Sequence, residues 1–148
     1  MINPVIHIDE HGRRVRVGVI VWAIDPENNV RFFLRHNKPF HGHSDEWNMI
    51  FGSVEPGEAL VPSVVREISE ESGLTVLVDN VQDLDYSLEY TSHHDRTIIR
   101  FFAAQVDSVE SKVVLNEESI GYDWAKIEEV RQRVPYGEQV KAFEKVLE

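Results

Sequence analysis

The sequence predicts an α/β (α+β) fold in which a mixed β-sheet is covered by helices. Two observations lead to this prediction: short apolar runs separated by polar turns recur along most of the chain, and only a few segments have helical periodicity. Many strands interspersed with a few helices are typical of a sheet packed against helices. The 148 residues contain no repeat and no Pro/Gly/Ser-rich linker, so we expect residues 1–148 to form one domain.

The first two predicted strands form a hairpin. Residues 14–24, RVRVGVIVWAI, are too apolar to have one face in water, and residues 25–29, DPENN, have turn chemistry. The second strand, residues 30–35, is followed by a polar loop over residues 36–46. The remaining predicted strands are residues 47–52, 74–78, 85–91, 97–106 and 120–127.

Helical periodicity predicts three helices. They are residues 59–72, residues 128–134 and the C-terminal tail from residue 136. In the first of them, Val61, Val65 and Ile68 fall on one side and should face a core. Gly73 follows directly and marks the C-terminal end of this helix, because glycine readily adopts the left-handed conformation that ends helices.

The composition excludes several classes of function. The chain has a net charge of −11 at pH 7 and no cysteine, so it forms no disulfide and has no thiolate nucleophile or ligand. Such acidity predicts no binding to nucleic acid, whereas a small anionic ligand would need a local basic patch or a bound cation. The start lacks the layout of a signal peptide and no apolar run is long enough to span a membrane, so we expect a cytoplasmic protein without a membrane partner.

Three glutamates lie close together on the first predicted helix. Glu67, Glu70 and Glu71 have the spacing i, i+3 and i+4, which places them on one face, where like charges repel by a few tenths of a kcal/mol per pair. One interpretation is an acidic face exposed to water. The alternative is that a divalent cation is bound between the glutamates, since Mg²⁺ prefers carboxylate oxygens.

The spacing of the whole stretch favours the second interpretation. Residues 52–74, GSVEPGEALVPSVVREISEESGL, match the signature of the Nudix hydrolase family at every specified position. The positions that carry the resemblance are Gly52, Glu58, Arg66, Glu67, Ile68, Glu70, Glu71, Gly73 and Leu74. The resemblance implies a Nudix-type α/β/α sandwich with a mixed β-sheet, in which the motif forms a loop, a helix and a second loop. It also implies hydrolysis of a diphosphate linkage in a nucleoside diphosphate joined to another group.

The resemblance further implies a metal site. It makes Glu67 and Glu71 the principal ligands of Mg²⁺, with Mn²⁺ as the expected substitute, and Glu70 a further or water-mediated ligand. The backbone carbonyl of Gly52 would also contact a metal ion. Glu70 and Glu71 are in addition candidates for the catalytic base.

Other motif residues are expected to have structural roles. Glu58 and Arg66 would form an ion pair that locks the loop to the helix, and Gly73 would end the helix.

Two patterns outside the motif resemble particular branches of the family. Residues 45–59, DEWNMIFGSVEPGEA, resemble the segment leading into the motif in dihydroneopterin triphosphate diphosphatases. The spacing of Glu118, Tyr122 and Trp124 resembles a late strand of that branch and of diadenosine tetraphosphate hydrolases. On a strand, Glu118 would face the metals as a ligand or as the catalytic base, and Glu117 would face away. The alternative is that both glutamates lie in a surface loop.

Several residues near the motif are candidates for substrate binding. Arg35 and Lys38 could bind phosphates, and Trp47 could stack on a base, although a solvated arginine and a core tryptophan are the alternatives. The further candidates for a titratable or phosphate-covering loop are His41, His43, His93 and His94.

Together these observations predict an enzyme that acts on a small nucleotide-like diphosphate. The preferred substrate is a nucleoside triphosphate or a relative such as a pterin triphosphate, cut to release pyrophosphate. The alternatives are a dinucleoside polyphosphate substrate and a non-catalytic Nudix module that senses a nucleotide.

Overall fold

The computed structural model describes residues 7–38, 46–92 and 95–148 and contains a seven-stranded mixed sheet between helices. The strands are β1 (Arg14–Ile24), β2 (Val30–Asn37), β3 (Trp47–Asn48), β4 (Ile50–Ser53), β5 (Val81–Ser92), β6 (Asp95–Gln105) and β7 (Ser119–Ala125). The helices are α1 (Leu60–Ser72), α2 (Ile127–Arg133) and α3 (Gly137–Val146), with a short 3₁₀ helix at Val78–Asn80. The predicted fold class, an α/β/α sandwich with a mixed sheet, is confirmed. His41, His43, His93 and His94 lie outside the described residues.

Strand β1 is the centre of the sheet. It pairs in parallel with β6 along one edge, and its other edge is shared by two antiparallel partners. The C-terminal end of β1 pairs with β2, whereas residues 16–19 pair with β4. Strand β2 continues past β1 and pairs there with β3 and β7. The Nudix motif, which begins in β4, is therefore placed beside the far end of β2.

The core has two parts, one on each face of the sheet. Val17 and Val19 of β1 lie in the part that contains Val64 and Ile68 of α1. Ile20 lies in the other part, which contains buried residues of α2 and α3. A strand buried on both faces needs apolar residues at successive positions, which explains the continuous apolar run in β1.

The predicted strand over residues 74–78 is wrong. The segment pairs with no strand among the described residues, although its side chains alternate as they would in a strand. Leu74 and Val76 are buried in the core beneath α1, and Leu77 and Val78 are exposed. The alternation arises because this extended segment packs one side on the core, without the backbone pairing that defines a strand.

The single strand predicted over residues 47–52 is divided into two. Asn48 accepts a hydrogen bond from the backbone N–H of Met49 at 2.8 Å, and the pairing partner changes from β2 to β1 at this point. None of the helices in the described part of the chain is long and apolar enough to cross a membrane.

Candidate active site

Helix α1 lies so close to β4 that the carboxylate of Glu67 rests on the backbone of Gly52. A Cβ atom built on Gly52 would overlap the carboxylate carbon of Glu67. Glu67 is only 6% exposed, so its side chain has little room to move aside. Glycine is therefore required at position 52 by this contact rather than by backbone conformation. The contact brings the backbone of β4 and an acidic side chain of α1 to the same point.

Arg66 joins the loop before α1 to the acidic face of the helix. Its guanidinium donates hydrogen bonds to both carboxylate oxygens of Glu58, at 2.8 and 2.9 Å, and to the carbonyl oxygen of Ser53 at 3.0 Å. It also donates to Glu67 at 2.9 Å and to Glu70 at 3.2 Å. These contacts hold the pKa of Glu58 below its usual value, mainly through the hydrogen bond from Arg66. One arginine thus contacts three carboxylates, although its single positive charge can offset only one of their three negative charges.

The ionised form of Glu67 remains electrostatically unfavourable despite its hydrogen bond from Arg66. Burial raises its pKa to about 7, and the negative charges of Glu70 and Glu71 add to that effect, while Arg66 opposes it. Such a carboxylate gains stability from any further positive charge placed beside it.

Glu71 has its own cationic partner, which comes from strand β2. Arg35 donates a 2.7 Å hydrogen bond to a carboxylate oxygen of Glu71, and Asn116 donates to the same oxygen at 2.9 Å. Arg35 and Glu71 are each 7% exposed. Burial raises the pKa of Glu71, Arg35 opposes the shift, and the charge of Glu118 adds to it. Arg35 Nε is buried and has no hydrogen-bond partner among the described residues.

The donor set of this cluster fits a hard divalent cation. Two buried carboxylates, one exposed carboxylate at Glu70 and the backbone next to Gly52 supply only oxygen ligands, which Mg²⁺ and Mn²⁺ prefer. Within residues 7–38, 46–92 and 95–148, no three acidic or histidine side chains converge on one point. Arg66 and Arg35 instead hold the carboxylates that a cation would share.

Glu117 and Glu118 lie in a turn, so their predicted position on a strand is wrong. β7 begins one residue later, at Ser119, and the turn is closed by Asn116, whose side chain accepts a hydrogen bond from the backbone N–H of Glu118 at 3.0 Å. Turn-forming chemistry at Asn116 is the physical reason. Both glutamates line the same cleft, and Glu118 lies 3.9 Å from Arg35.

This cleft has a volume of about 1120 Å³, slightly above the usual range of roughly 300–1000 Å³ for small-molecule sites. Its walls come from several strands, the turn before β7 and the start of α3. Arg35 and Lys38 both line it, and the backbone N–H of Lys38 donates to the carbonyl oxygen of Glu118 at 2.9 Å. Because Arg35 also binds Glu71, it connects the cleft directly to the acidic cluster.

Trp47 does not line the cleft, so its proposed contact with substrate is not supported. Its ring stacks on His36, with centroids 4.4 Å apart, and the guanidinium of Arg133 lies 5.1 Å from its centroid. Trp47 also packs against the core beneath α2 and α3. Its neighbour Asn48 lines the cleft instead. Successive side chains of a strand point in opposite directions, which explains the difference.

Two cleft or site residues were missed by sequence reasoning. Asn116 holds Glu71 although it lies 45 positions away in the sequence. Gln139 reaches the cleft from α3 and binds Asn48. Neither Asn116 nor Gln139 belongs to a sequence motif, and only their contacts in the folded structure identify them.

The fold and the motif agree with known proteins. The chain matches the NUDIX domain family over residues 12–144. The E. coli dihydroneopterin triphosphate pyrophosphohydrolase superposes with a TM-score of 0.73 at 20% identity, over 88% of this chain and 92% of that chain. A C. elegans Ap4A hydrolase binary complex gives 0.72 at 20% identity, over 89% and 93%. The NUDIX domain of Shewanella oneidensis NrtR, complexed with ADP ribose, gives 0.72 at 11% identity, over 95% and 92%.

The mixed-sheet sandwich, with its carboxylate-rich helix beside the cleft, agrees with this family match. The protein belongs to the Nudix family. Every specified position of the family motif is present in residues 52–74.

Proposed function

We propose that this protein hydrolyses a diphosphate linkage in a nucleoside triphosphate or a closely related compound, with Mg²⁺ as its cofactor and pyrophosphate as a product. The observation that carries the proposal is the buried pair Glu67 and Glu71, which lies beside a cleft large enough for a nucleotide. Two adjacent buried carboxylates are costly unless cations neutralise them. The phosphate groups of a polyphosphate substrate also need positive charge beside them, so one bound cation would neutralise the carboxylates and the phosphates together.

In this proposal the acidic cluster holds the cation. Glu67 and Glu71 are its main ligands, Glu70 is a further ligand, and the carbonyl group of Gly52 completes the oxygen set. When bound, Mg²⁺ neutralises phosphate charge and lowers the pKa of the attacking water. Arg66 keeps Glu67 in place through its contacts with Glu58 and Ser53.

In this proposal the substrate is held by the basic residues that line the cleft. Arg35 lines the cleft beside Glu71, and an arginine guanidinium is well suited to bind a phosphate oxygen. Lys38 adds a second positive charge at the cleft wall. Glu118, whose carboxylate lies 3.9 Å from Arg35, is proposed to accept the proton of the attacking water, with Glu70 and Glu71 as the other candidates.

A dinucleoside polyphosphate is the second candidate substrate. The similarity to the C. elegans Ap4A hydrolase and the large volume of the cleft favour it. A non-catalytic nucleotide sensor is the third candidate, favoured by the similarity to the NUDIX domain of NrtR in complex with ADP ribose.

A nucleotide panel tests the proposal. Each compound is incubated with the purified protein and Mg²⁺, and the products are identified by mass spectrometry. We expect release of pyrophosphate from a triphosphate, whereas a dinucleoside substrate would yield two nucleotides. A sensor would bind one of the compounds without cleaving it.

The metal requirement is tested in the same assay. Excess chelator should abolish turnover, and Glu71→Gln should lower the rate by orders of magnitude because glutamine keeps the shape of the ligand but loses its charge. Glu128→Gln is the matched control, since Glu128 is an exposed residue of α2. Full activity of the wild type in chelator would refute the metal-dependent mechanism. Calorimetry with Mn²⁺ should show weaker binding to Glu71→Gln than to the control.

A further inference from the structure

One end of the cleft contains a continuous chain of hydrogen-bonded polar groups. Tyr136 donates from its hydroxyl to a carboxylate oxygen of Glu46 at 3.0 Å, and the carbonyl oxygen of Tyr136 accepts from the backbone N–H of Gln139 at 3.0 Å. The side-chain amide of Gln139 in turn accepts a 2.5 Å hydrogen bond from Asn48. These four residues all line the cleft.

The orientation of both amides in this chain is fixed from the backbone. The oxygen of Asn48 accepts from the N–H of Met49 at 2.8 Å, so its amino group must point toward Gln139. Asn48 is 3% exposed and has little freedom to rotate. Gln139 therefore uses its oxygen to accept from Asn48 and presents its amino group elsewhere. That amino group has no hydrogen-bond partner among the described residues, and it can only donate.

Glu46 supplies the complementary group. An ionised carboxylate only accepts hydrogen bonds and has about four lone-pair sites, of which the Tyr136 hydroxyl uses one. The cleft thus offers a donor at Gln139 and a carboxylate acceptor at Glu46, both anchored at the start of α3. This pair is suited to a ligand edge that carries a carbonyl oxygen followed by N–H donors.

Flat surfaces suited to a planar ring border the same cleft. Phe51 of β4 and Arg16 of β1 both line it, and the guanidinium of Arg16 lies 5.9 Å from the centroid of the Phe51 ring. Both side chains are half-buried. Proteins bind heterocyclic bases by stacking them on aromatic rings or arginine planes while reading their edges with hydrogen bonds.

We propose that Gln139, Glu46 and their support Asn48 form a recognition site for a 2-amino-4-oxopyrimidine ring, the edge that guanine and pterins share. The carbonyl oxygen of this ring would accept from Gln139, and its ring N–H and exocyclic amine would donate to Glu46. This inference rests on the proposed hydrolysis of a nucleotide-like triphosphate and specifies the heterocycle of the substrate.

Adenine does not match this arrangement. Beside its exocyclic amine, adenine has an unprotonated ring nitrogen, which would place a lone pair against an oxygen of Glu46. A site whose polar groups are left unpaired by the wrong ligand discriminates strongly. Hypoxanthine has the carbonyl and the ring N–H but lacks the amine, so it should be intermediate.

The test compares kcat/KM for GTP, ITP, ATP and a dihydropterin triphosphate. We expect the order GTP above ITP above ATP, with GTP preferred over ATP by roughly tenfold to hundredfold, since the site is partly exposed. The dihydropterin triphosphate should have a kcat/KM similar to that of GTP if the protein recognises the ring edge that the two compounds share. The ratio of the two kcat/KM values shows whether guanine or the pterin is preferred. Equal kcat/KM for GTP and ATP would refute the proposal.

Two variants test the residues directly. Glu46→Gln keeps an amide oxygen that can accept from Tyr136 but replaces the other carboxylate oxygen with an amino group, which donates. Gln139→Glu replaces the donating amino group of Gln139 with a carboxylate oxygen, which accepts. Each should reduce the preference for GTP over ATP by about tenfold, through KM more than kcat. The matched controls are Glu138→Gln and Gln132→Glu, exposed positions with the same charge changes. An unchanged preference in both test variants would overturn the assignment.

Binding without turnover separates this inference from the proposed function. Titration calorimetry of the wild type with GMP and AMP in chelator measures the recognition site alone. If the panel shows no hydrolysis but GMP binds more tightly and Glu46→Gln removes the difference, the catalytic proposal fails and the recognition site remains. Equal affinities for GMP and AMP would overturn the recognition site whether or not hydrolysis occurs.

Discussion

Substitution of Gly52 by alanine tests the central contact of the site. The added methyl group would occupy the space of the Glu67 carboxylate, which is buried and held by a 2.9 Å hydrogen bond from Arg66. Because the backbone of β4 is paired with β1, the side chain of Glu67 must yield. We expect Gly52→Ala to displace the carboxylate and to break or lengthen its bond to Arg66.

The size of the effect follows from the packing. Inserting a methyl group into a well-packed site usually costs about 1–3 kcal/mol, which for a domain of this size lowers Tm by roughly 3–10 °C. The fold should survive, because only the end of one side chain has to move. If Glu67 is a metal ligand as proposed, metal affinity should fall by roughly tenfold or more, because a displaced carboxylate loses the geometry that Mg²⁺ requires.

Two other glycine variants serve as controls. Gly18→Ala would place a Cβ 2.7 Å from the Phe101 ring, so it should destabilise the core without touching the carboxylates. At Gly121 the nearest atom to an added Cβ is 3.9 Å away, so Gly121→Ala should be nearly silent. Thermal melts measure stability, and calorimetry with Mn²⁺ measures metal affinity. The expected pattern is loss of stability in the first two variants and loss of metal affinity only in Gly52→Ala. Wild-type metal affinity and turnover in Gly52→Ala would refute the proposed role of the Gly52–Glu67 contact.

Three further predictions concern the charged network. Arg66→Ala should reduce the free energy of unfolding by about 2–3 kcal/mol, because it leaves partly buried carboxylates without their shared donor; a wild-type melting temperature would contradict this. The lowered pKa of Glu58 contributes stability that is complete above its unfolded value of 4.5 and is lost as pH falls through the folded pKa. The stability difference between wild type and Glu58→Gln, measured by urea unfolding, should therefore shrink as the pH falls below 4.5. At saturating Mg²⁺, Glu118→Gln should lower kcat by roughly 10²-fold while Glu117→Gln is nearly silent; the reverse result would assign the base to the other glutamate.

The sequence was sufficient to predict the fold class and the boundaries of most elements, because strong local patterns determine both. The apolar run of β1 and the hairpin turn after it are examples, as is Gly73, which ends α1 with φ 72° and donates from its N–H to the carbonyl oxygen of Ser69. The error at residues 74–78 has a different origin. An extended segment and a strand share the same side-chain alternation, and only a neighbouring strand distinguishes them.

The acidic face was also predictable, but its arginine partners were only partly so. Arg66 is four residues from Glu70 on the same helix, so helix geometry brings these two together. Its contact with Glu58, in the loop before α1, was predicted from the motif. The pairing of Arg35 with Glu71 spans 36 positions and depends on how β2 lies against α1. No periodicity within a segment contains that information.

The repulsion among the three glutamates of α1 is resolved by giving each a different environment. Glu70 remains exposed at the surface, Glu67 is held between Arg66 and the backbone of Gly52, and Glu71 is paired with Arg35. Of Arg66 and Arg35, only Arg35 also lines the cleft. In the proposed mechanism, a cation at Glu71 would take over the neutralisation that Arg35 provides and would leave its guanidinium available for a phosphate. Metal binding and substrate binding would then favour each other. The bound cation would in this way offset the repulsion between an anionic substrate and a protein with a net charge of −11.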